Sequence, residues 1–249
     1  MKIAAAYLCD QGKVRTRNQD NLYFHEKILS LYHLKSYSRF HWQTATKKAV
    51  CLGVFDGMGG EQYGEEASFL AAEVLRAKMW ENRTGRIPGD ILLEVCHTAN
   101  EAIYKRTLEL AADRIGTTAA IIYLQYDRIW ICNVGDSRIY RLRSGILERL
   151  SLDHVWKGEC KGKPGLTQHL GMNPEEITLF PYIVDDAVMR RDKYLICSDG
   201  LTDMVPEEAI KNILNRDLSL LKCNRLLLKT ALDNGGRDNI TIITCKVEQ

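Results

Sequence analysis

RIWICNVGDSRIYRLR, residues 128–143, sets two apolar runs on either side of a short polar break. Two runs rich in Ile, Val, Tyr and Cys flank Gly135-Asp136-Ser137, and the text reads as a β-hairpin over 128–142 with its turn at the Gly-Asp-Ser. Similar strand signals come at 2–9, 21–24, 50–55, 117–125, 193–198 and 239–247. Helical periodicity occupies 62–81 and 89–112; in the first, Ala67, Leu70, Ala71, Val74, Leu75 and Met79 form one apolar stripe. GRIPGD at 85–90 separates the two, with Asp90 as N-cap of the second. Two more helices are predicted at 206–215 and 218–234. Strands and helices do not alternate one by one, so a parallel doubly wound sheet is disfavoured. The order predicts an α+β layered fold, with helices covering antiparallel sheets.

The chain has 249 residues, 45% apolar and 27% charged, enough for a sizeable core in one domain spanning 1–249. Its net charge of +2 implies no polyanionic partner, so nucleic acid is not expected. No apolar run approaches the roughly 18 residues of a membrane span, and MKIAAAYLCDQGK lacks the form of a signal peptide. Cytoplasmic residence and a monomer are the expectation. The nearest two of the eight cysteines are Cys223 and Cys245, so no C-x-x-C element starts a zinc site. Most sit in strand-like runs and are expected as reduced core residues.

Two segments interrupt the regular order. Residues 25–48 interleave His25, His33, His41, Tyr32, Tyr37, Phe40 and Trp42 with Lys27, Lys35, Arg39, Lys47 and Lys48; the expectation is a solvated hairpin extension with aromatics on the sheet. Residues 153–181 are rich in Gly, Lys and Pro, with Lys157, Lys161 and Lys163 available to attract a phosphopeptide or to keep a loop soluble.

Four aspartates stand beside the strand runs: Asp56 in VFDG, Asp136 in VGDS, Asp199 in CSDG and Asp238 in RDNIT. In antiparallel neighbours, the C-terminal end of one strand lies beside the N-terminal end of the next, so all four can reach one edge. Gathered carboxylates repel unless a cation neutralises them, and hard oxygen donors suit Mg²⁺ or Mn²⁺. Two such ions lower the pKa of a shared water, making it nucleophilic at neutral pH. Arg15, in GKVRTRNQD, has the forked guanidinium that suits a phosphate. Taken singly, each aspartate also reads as an ordinary turn residue and Arg15 as a surface arginine. Spacing alone leaves both readings open.

Together the strings RTRNQD (15–20), GVFDGMGG (53–60), GTTAA (116–120), VGDSRIY (134–140), CSDGLTD (197–203) and RDNIT (237–241) resemble the metal-dependent Ser/Thr protein phosphatases of type 2C, the PPM family, in their bacterial form. The resemblance implies a four-layer αββα sandwich, two antiparallel sheets flanked by pairs of helices, with 153–181 as a variable flap. It implies a centre of two Mn²⁺ or Mg²⁺ ions: Asp56 bridging, the Gly57 carbonyl on the second, Asp199 and Asp238 on the first. A third, weaker metal would take Asp136 with Asp199. Asp20 would orient a metal-bound water and Arg15 hold the phosphate. The implied reaction is direct attack of water on phosphoserine or phosphothreonine, opposing a Ser/Thr kinase. Met58 departs from the eukaryotic pattern, which places a histidine there as proposed general acid. Two other readings keep the resemblance: a phosphoprotein-binding pseudophosphatase, and a phosphatase of small phosphoesters.

Overall fold

The computed structural model describes residues 2–43 (backbone only over 39–43), 49–58, 63–81, 86–158, 162 and 164–248. Thirteen strands among these form two antiparallel sheets. One sheet runs β10 (Ile146–Arg149), β9 (Arg138–Arg143), β12 (Lys193–Cys197), β13 (Ile240–Val247), β1 (Lys2–Asp10), β4 (Lys35–Gln43). The other runs β11 (Tyr182–Ala187), β8 (Arg128–Val134), β7 (Ala119–Gln125), β5 (Val50–Met58), β2 (Asp20–Phe24), β3 (Lys27–Ile28), with β6 (Gly116–Thr117) pairing the end of β5.

The strands read as continuous apolar runs because both faces are covered. Ile3, Tyr7, Leu52, Val54, Ile122, Ile196 and Ile243 meet between the sheets. Alternate residues of the second sheet, among them Cys51, Phe55, Ile121 and Cys132, pack under α1 (Gly64–Glu81) and α2 (Pro88–Glu109). On the opposite outer face, Leu195, Cys197, Ile240 and Ile242 pack under α3 (Asp199–Thr202), α4 (Glu207–Leu214) and α5 (Leu220–Asp233). Helix, sheet, sheet and helix are therefore stacked around three apolar layers. The seven described cysteines are buried and unbonded, Cys96 and Cys132 touching at 3.4 Å. No described helix is long and apolar enough to cross a membrane.

The expected hairpin at 128–142 is not one. β8 lies between β7 and β11, whereas β9 lies between β10 and β12 in the other sheet. Gly135-Asp136-Ser137 is thus a corner at which the chain passes from one sheet to the other. Gly135 has φ +96°, a conformation that a side chain rarely tolerates. The true hairpin joins β7 to β8 through Tyr126 and Asp127. Residues 25–48 also differ from expectation, since β4 pairs with β1 along its whole length. Its Ser36 hydroxyl meets the Tyr7 hydroxyl at 2.9 Å, and the Tyr37 ring stacks 5.6 Å from the Arg225 guanidinium. The side chains of Arg39, Phe40, His41 and Trp42, and all of Lys47, Lys48, Lys161 and Lys163, lie outside the described residues. Asp90 is not an N-cap: Ile87 holds that position, Pro88 opens α2, and Asp90 sits in the first turn. Proline lacks the N–H that a helix start leaves unbonded.

Far from the sheet corner, Asp192 is 1% exposed. Burial alone would raise its carboxyl, but the Arg143 guanidinium, the Met189 N–H and the Tyr194 hydroxyl donate to it at 2.7–3.0 Å and hold it below the usual carboxylate range. A depressed folded pKa contributes stability that is complete above the unfolded value of about 3.9 and is lost as pH falls through the folded one. Asp192→Asn should therefore cost about 3 kcal/mol near neutrality. In thermal melts, the gap to the native protein should stay constant from pH 7 to 5 and narrow below about pH 4. A gap that widens in acid would refute this assignment.

Candidate active site

The rim between the two sheets carries the acids that the sequence singled out. Asp20 opens β2 and stands directly across from Asp56 on β5. Asp136 occupies the inter-sheet corner, Asp199 opens α3 just after β12, and Asp238 lies two residues before β13. Asp20 is 1% exposed and Asp136 9%, while Asp56, Asp199 and Asp238 are half-buried.

Asp20 is the inner member of the group. Its Oδ2 accepts hydrogen bonds from Ser198 Oγ at 2.8 Å and Thr241 Oγ1 at 2.7 Å. Its Oδ1 is buried with no hydrogen-bond donor. Burial pushes this carboxyl up to about 7, against the two hydroxyl bonds, and the charge of Asp238 adds to the rise. Carboxylates directly opposite each other on paired strands repel. The pair needs a shared proton or a cation.

Arg15 supplies one positive charge. Its Nη2 donates to Asp238 Oδ2 at 2.6 Å, and Asp56 and Asp20 add to the field that raises its pKa further. Because the Arg15 and Asp238 side chains are 49% and 35% exposed, this ion pair is worth only about 0–1 kcal/mol. Exchanging one guanidinium contact for a phosphate oxygen is therefore cheap.

Gly57 is held by close packing. Its N–H donates to the Gln19 carbonyl at 3.1 Å, and a Cβ there would lie 2.2 Å from the Gly64 oxygen and 2.4 Å from the Gln19 oxygen. The Asp56-Gly57 backbone is thereby pressed between the start of α1 and the loop leading to Asp20. Met58 follows, half-buried, with a thioether that carries no transferable proton.

Several residues that received no role from the sequence build this rim. Asn239 is 4% exposed; its Oδ1 accepts from the Gln19 N–H at 2.8 Å and its Nδ2 donates to the carbonyls of Gln11 and Arg17 at 2.9 Å. It thus ties the Arg15 loop to the segment that carries Asp238 into β13. Thr118 Oγ1 accepts from the Asp56 N–H at 3.1 Å and meets Ser137 Oγ at 2.6 Å, linking the Asp56 strand to the Asp136 corner. Ser198 and Thr241 serve Asp20. Each lies inside a quoted motif, but a lone Ser, Thr or Asn carries no chemical signal until the fold brings it to a partner.

The donor set consists of carboxylate oxygens, as a hard divalent cation prefers. Among the described residues, no three His, Cys, Asp or Glu side chains form a ready-made metal cage. Mg²⁺ does not need one: it is commonly held by one or two carboxylates with waters and substrate phosphate filling its octahedron. The donorless Oδ1 of Asp20, a residue paired with Asp56 across the strands, is a second feature that fits cations and their waters.

A four-layer αββα sandwich with such an acidic rim places the chain among the protein phosphatases. Residues 38–234 match the family described as Protein phosphatase 2C, and the chain belongs to that family, whose members are hydrolases. It is similar to the serine/threonine phosphatase stp of Listeria welshimeri, at 28% identity over 96% of this chain and 94% of that one. Among solved structures, the S. agalactiae serine/threonine phosphatase matches with a TM-score of 0.83 at 25% identity, over 99% of this chain and 100% of that one. The catalytic domain of the serine/threonine protein phosphatase PstP, solved in complex with two manganese ions, matches with a TM-score of 0.79 at 25% identity over 100% of both chains. Arg15, Asp20 and Asp238 lie outside the residues matched to the family, so their place at the rim rests on the contacts above.

Proposed function

We propose that this protein hydrolyses phosphoserine and phosphothreonine in protein substrates, as one catalytic domain, with two divalent cations held at the acidic rim. The observation that carries the reading is the buried Asp20, opposite Asp56, with one oxygen accepting two hydrogen bonds and the other accepting none, at a rim where Arg15 pairs with Asp238. The two manganese ions of the PstP structure support the choice of metal class.

In this reading Asp56 and the Gly57 carbonyl, with Asp199 and Asp238, hold the two ions, Mn²⁺ or Mg²⁺. Asp136 with Asp199 serves a third and weaker site. When bound, the ions supply the positive charge that makes water nucleophilic at neutral pH. The chain's own residues do the rest. Arg15 turns from Asp238 to the substrate, where its fork binds phosphate oxygens. Asp20 Oδ1 accepts a hydrogen bond from the attacking water and orients it, while Ser198 and Thr241 keep the other oxygen occupied. Direct attack needs no nucleophilic side chain, and the buried cysteines take no part. Met58 has no proton for the leaving alkoxide, so that proton comes from solvent or from water within the site.

The substrate is a phosphorylated protein opposing a Ser/Thr kinase, handled by a cytoplasmic monomer without nucleic acid or membrane. Asp199→Asn should lower kcat on a phosphothreonine peptide by about 10²–10³-fold, a barrier change of roughly 3–4 kcal/mol. Unchanged turnover would refute the role of the rim. Retained peptide binding without turnover by the native protein would indicate a pseudophosphatase. Capture of only small phosphometabolites by the Asp199→Asn variant would move the substrate to that class.

A further inference from the structure

His154 belongs to the SLDHV string at the root of the flap, and the proposed chemistry gives it nothing to do. Its contacts are specific. The neighbouring Asp153 is fixed by the guanidinium groups of Arg138 and Arg149 at 2.7–3.2 Å. His154 N–H donates to the Gly135 carbonyl at 3.0 Å, and the Gly135 N–H donates back to His154 Nδ1 at 3.1 Å. The His154 carbonyl in turn accepts from the N–H of Thr167, on the returning arm of the flap, at 2.9 Å. One residue thus joins both flap arms to the corner that carries Asp136.

The ring bond defines a chemical state. With Nδ1 accepting, a neutral ring carries its proton on Nε2. Burial pushes the His154 imidazole below its ordinary pKa, which suits a neutral acceptor. Gly135 is buried, and the imidazole nitrogen is the acceptor that the fold gives its N–H. The far root of the flap is anchored in the same manner. Leu170 and Thr117 exchange backbone bonds at 2.9 and 3.1 Å, and Thr117 Oγ1 donates to the Asp56 carbonyl at 2.9 Å. Both roots therefore end one residue or one hydrogen bond from an aspartate of the rim.

We propose that His154 is a positioning residue for phosphoester hydrolysis: through Gly135 it holds the Asp136 corner to the flap, so that flap and rim are set as one unit. The proposal rests on the phosphatase reading for its kinetic consequence, but not for its structural one. Asparagine can place Oδ1 where Nδ1 stands, whereas alanine offers no acceptor. A loosened corner should cost turnover on any substrate, since groups misplaced by a fraction of an ångström lose transition-state stabilisation.

The test compares the native protein with His154→Ala and His154→Asn in two arms. In the first, amide hydrogen exchange is followed with and without Mn²⁺. Exchange at Gly135 should be at least about tenfold faster in the alanine variant, as expected for a lost acceptor, and near native in the asparagine variant. Mn²⁺ should slow Gly135 and Thr167 together in the native protein and uncouple them in His154→Ala. In the second arm, kcat should fall about tenfold on both a phosphothreonine peptide and p-nitrophenyl phosphate, with peptide KM within about twofold and asparagine restoring most of the loss. Native exchange at Gly135 in His154→Ala would overturn the proposal. So would a rise in peptide KM at unchanged kcat, which would make the residue part of peptide docking. If the native protein hydrolyses neither substrate, the phosphatase reading fails, and the exchange arm still decides the coupling. If the alanine variant does not fold, the asparagine variant decides, with non-native exchange at Gly135 counting against the proposal.

Discussion

Asp56→Asn should abolish phosphopeptide hydrolysis while making the metal-free protein more stable. In EDTA, the native rim sets the Asp20 and Asp56 carboxyls opposite each other across two paired strands, with Asp20 buried. Like charges in that relation destabilise a sheet. An asparagine removes one charge and offers an N–H to Asp20 Oδ1, the oxygen that has no donor. A gain of about 1 kcal/mol corresponds to a melting temperature some 2–4 °C higher for a chain of this length. The same change removes the carboxylate proposed to hold both cations. A loss of about 10³-fold in kcat, roughly 4 kcal/mol of barrier, is expected. Sites tuned for function commonly cost stability in this way. A variant that melts lower in EDTA, or one that keeps its rate, would contradict the account of this pair.

Gly57→Ala should damage stability as well as activity. A methyl group at this position would lie 2.2 Å from one backbone oxygen and 2.4 Å from another. Neither is the movable end of a side chain. One belongs to Gly64, where α1 begins, and the other to Gln19, which immediately precedes Asp20. Either the helix start or the Arg15 loop must move. Overpacking of this kind costs about 3 kcal/mol, which lowers the melting temperature by roughly 6–12 °C. The displacement also spreads Asp20 from Asp56, and misplacement near 1 Å is worth about 10²-fold in rate. Thermal melts and peptide kinetics on the purified variant check both effects. A melting temperature within 1 °C of native, by the same ~3 kcal/mol reasoning, would show that the packing is not as tight as described.

Strands that are buried on both faces were readable because covering both faces leaves an unbroken apolar run, as in β5, β7 and β13. Edge strands were not. β4, KSYSRFHWQ, and β10, ILER, each pair on one side only and carry polar residues that mask the signal. α3 is one turn long and too short to show a period. Residues 128–142 conceal their structure for a different reason. A Gly-Asp-Ser between two strands fits a hairpin turn and a sheet-changing corner equally well, and only the partners of β8 and β9 distinguish them. That correction matters for the site, because a corner between sheets is what brings Asp136 to the rim. The acidic residues themselves were legible, since aspartate beside an apolar strand run is unusual. Their supports were not: Asn239, Thr118, Ser198 and Thr241 are defined by contacts made across 41–221 residues of sequence.

The acidic rim is proposed to use divalent cations to hydrolyse a phosphoprotein ester. Phosphate release from a phosphothreonine peptide, measured in Mn²⁺, then in excess EDTA, then after restoring Mn²⁺, decides whether it does. Turnover that falls to background in EDTA and returns with the metal is the result predicted. Equal rates in all three conditions would contradict it.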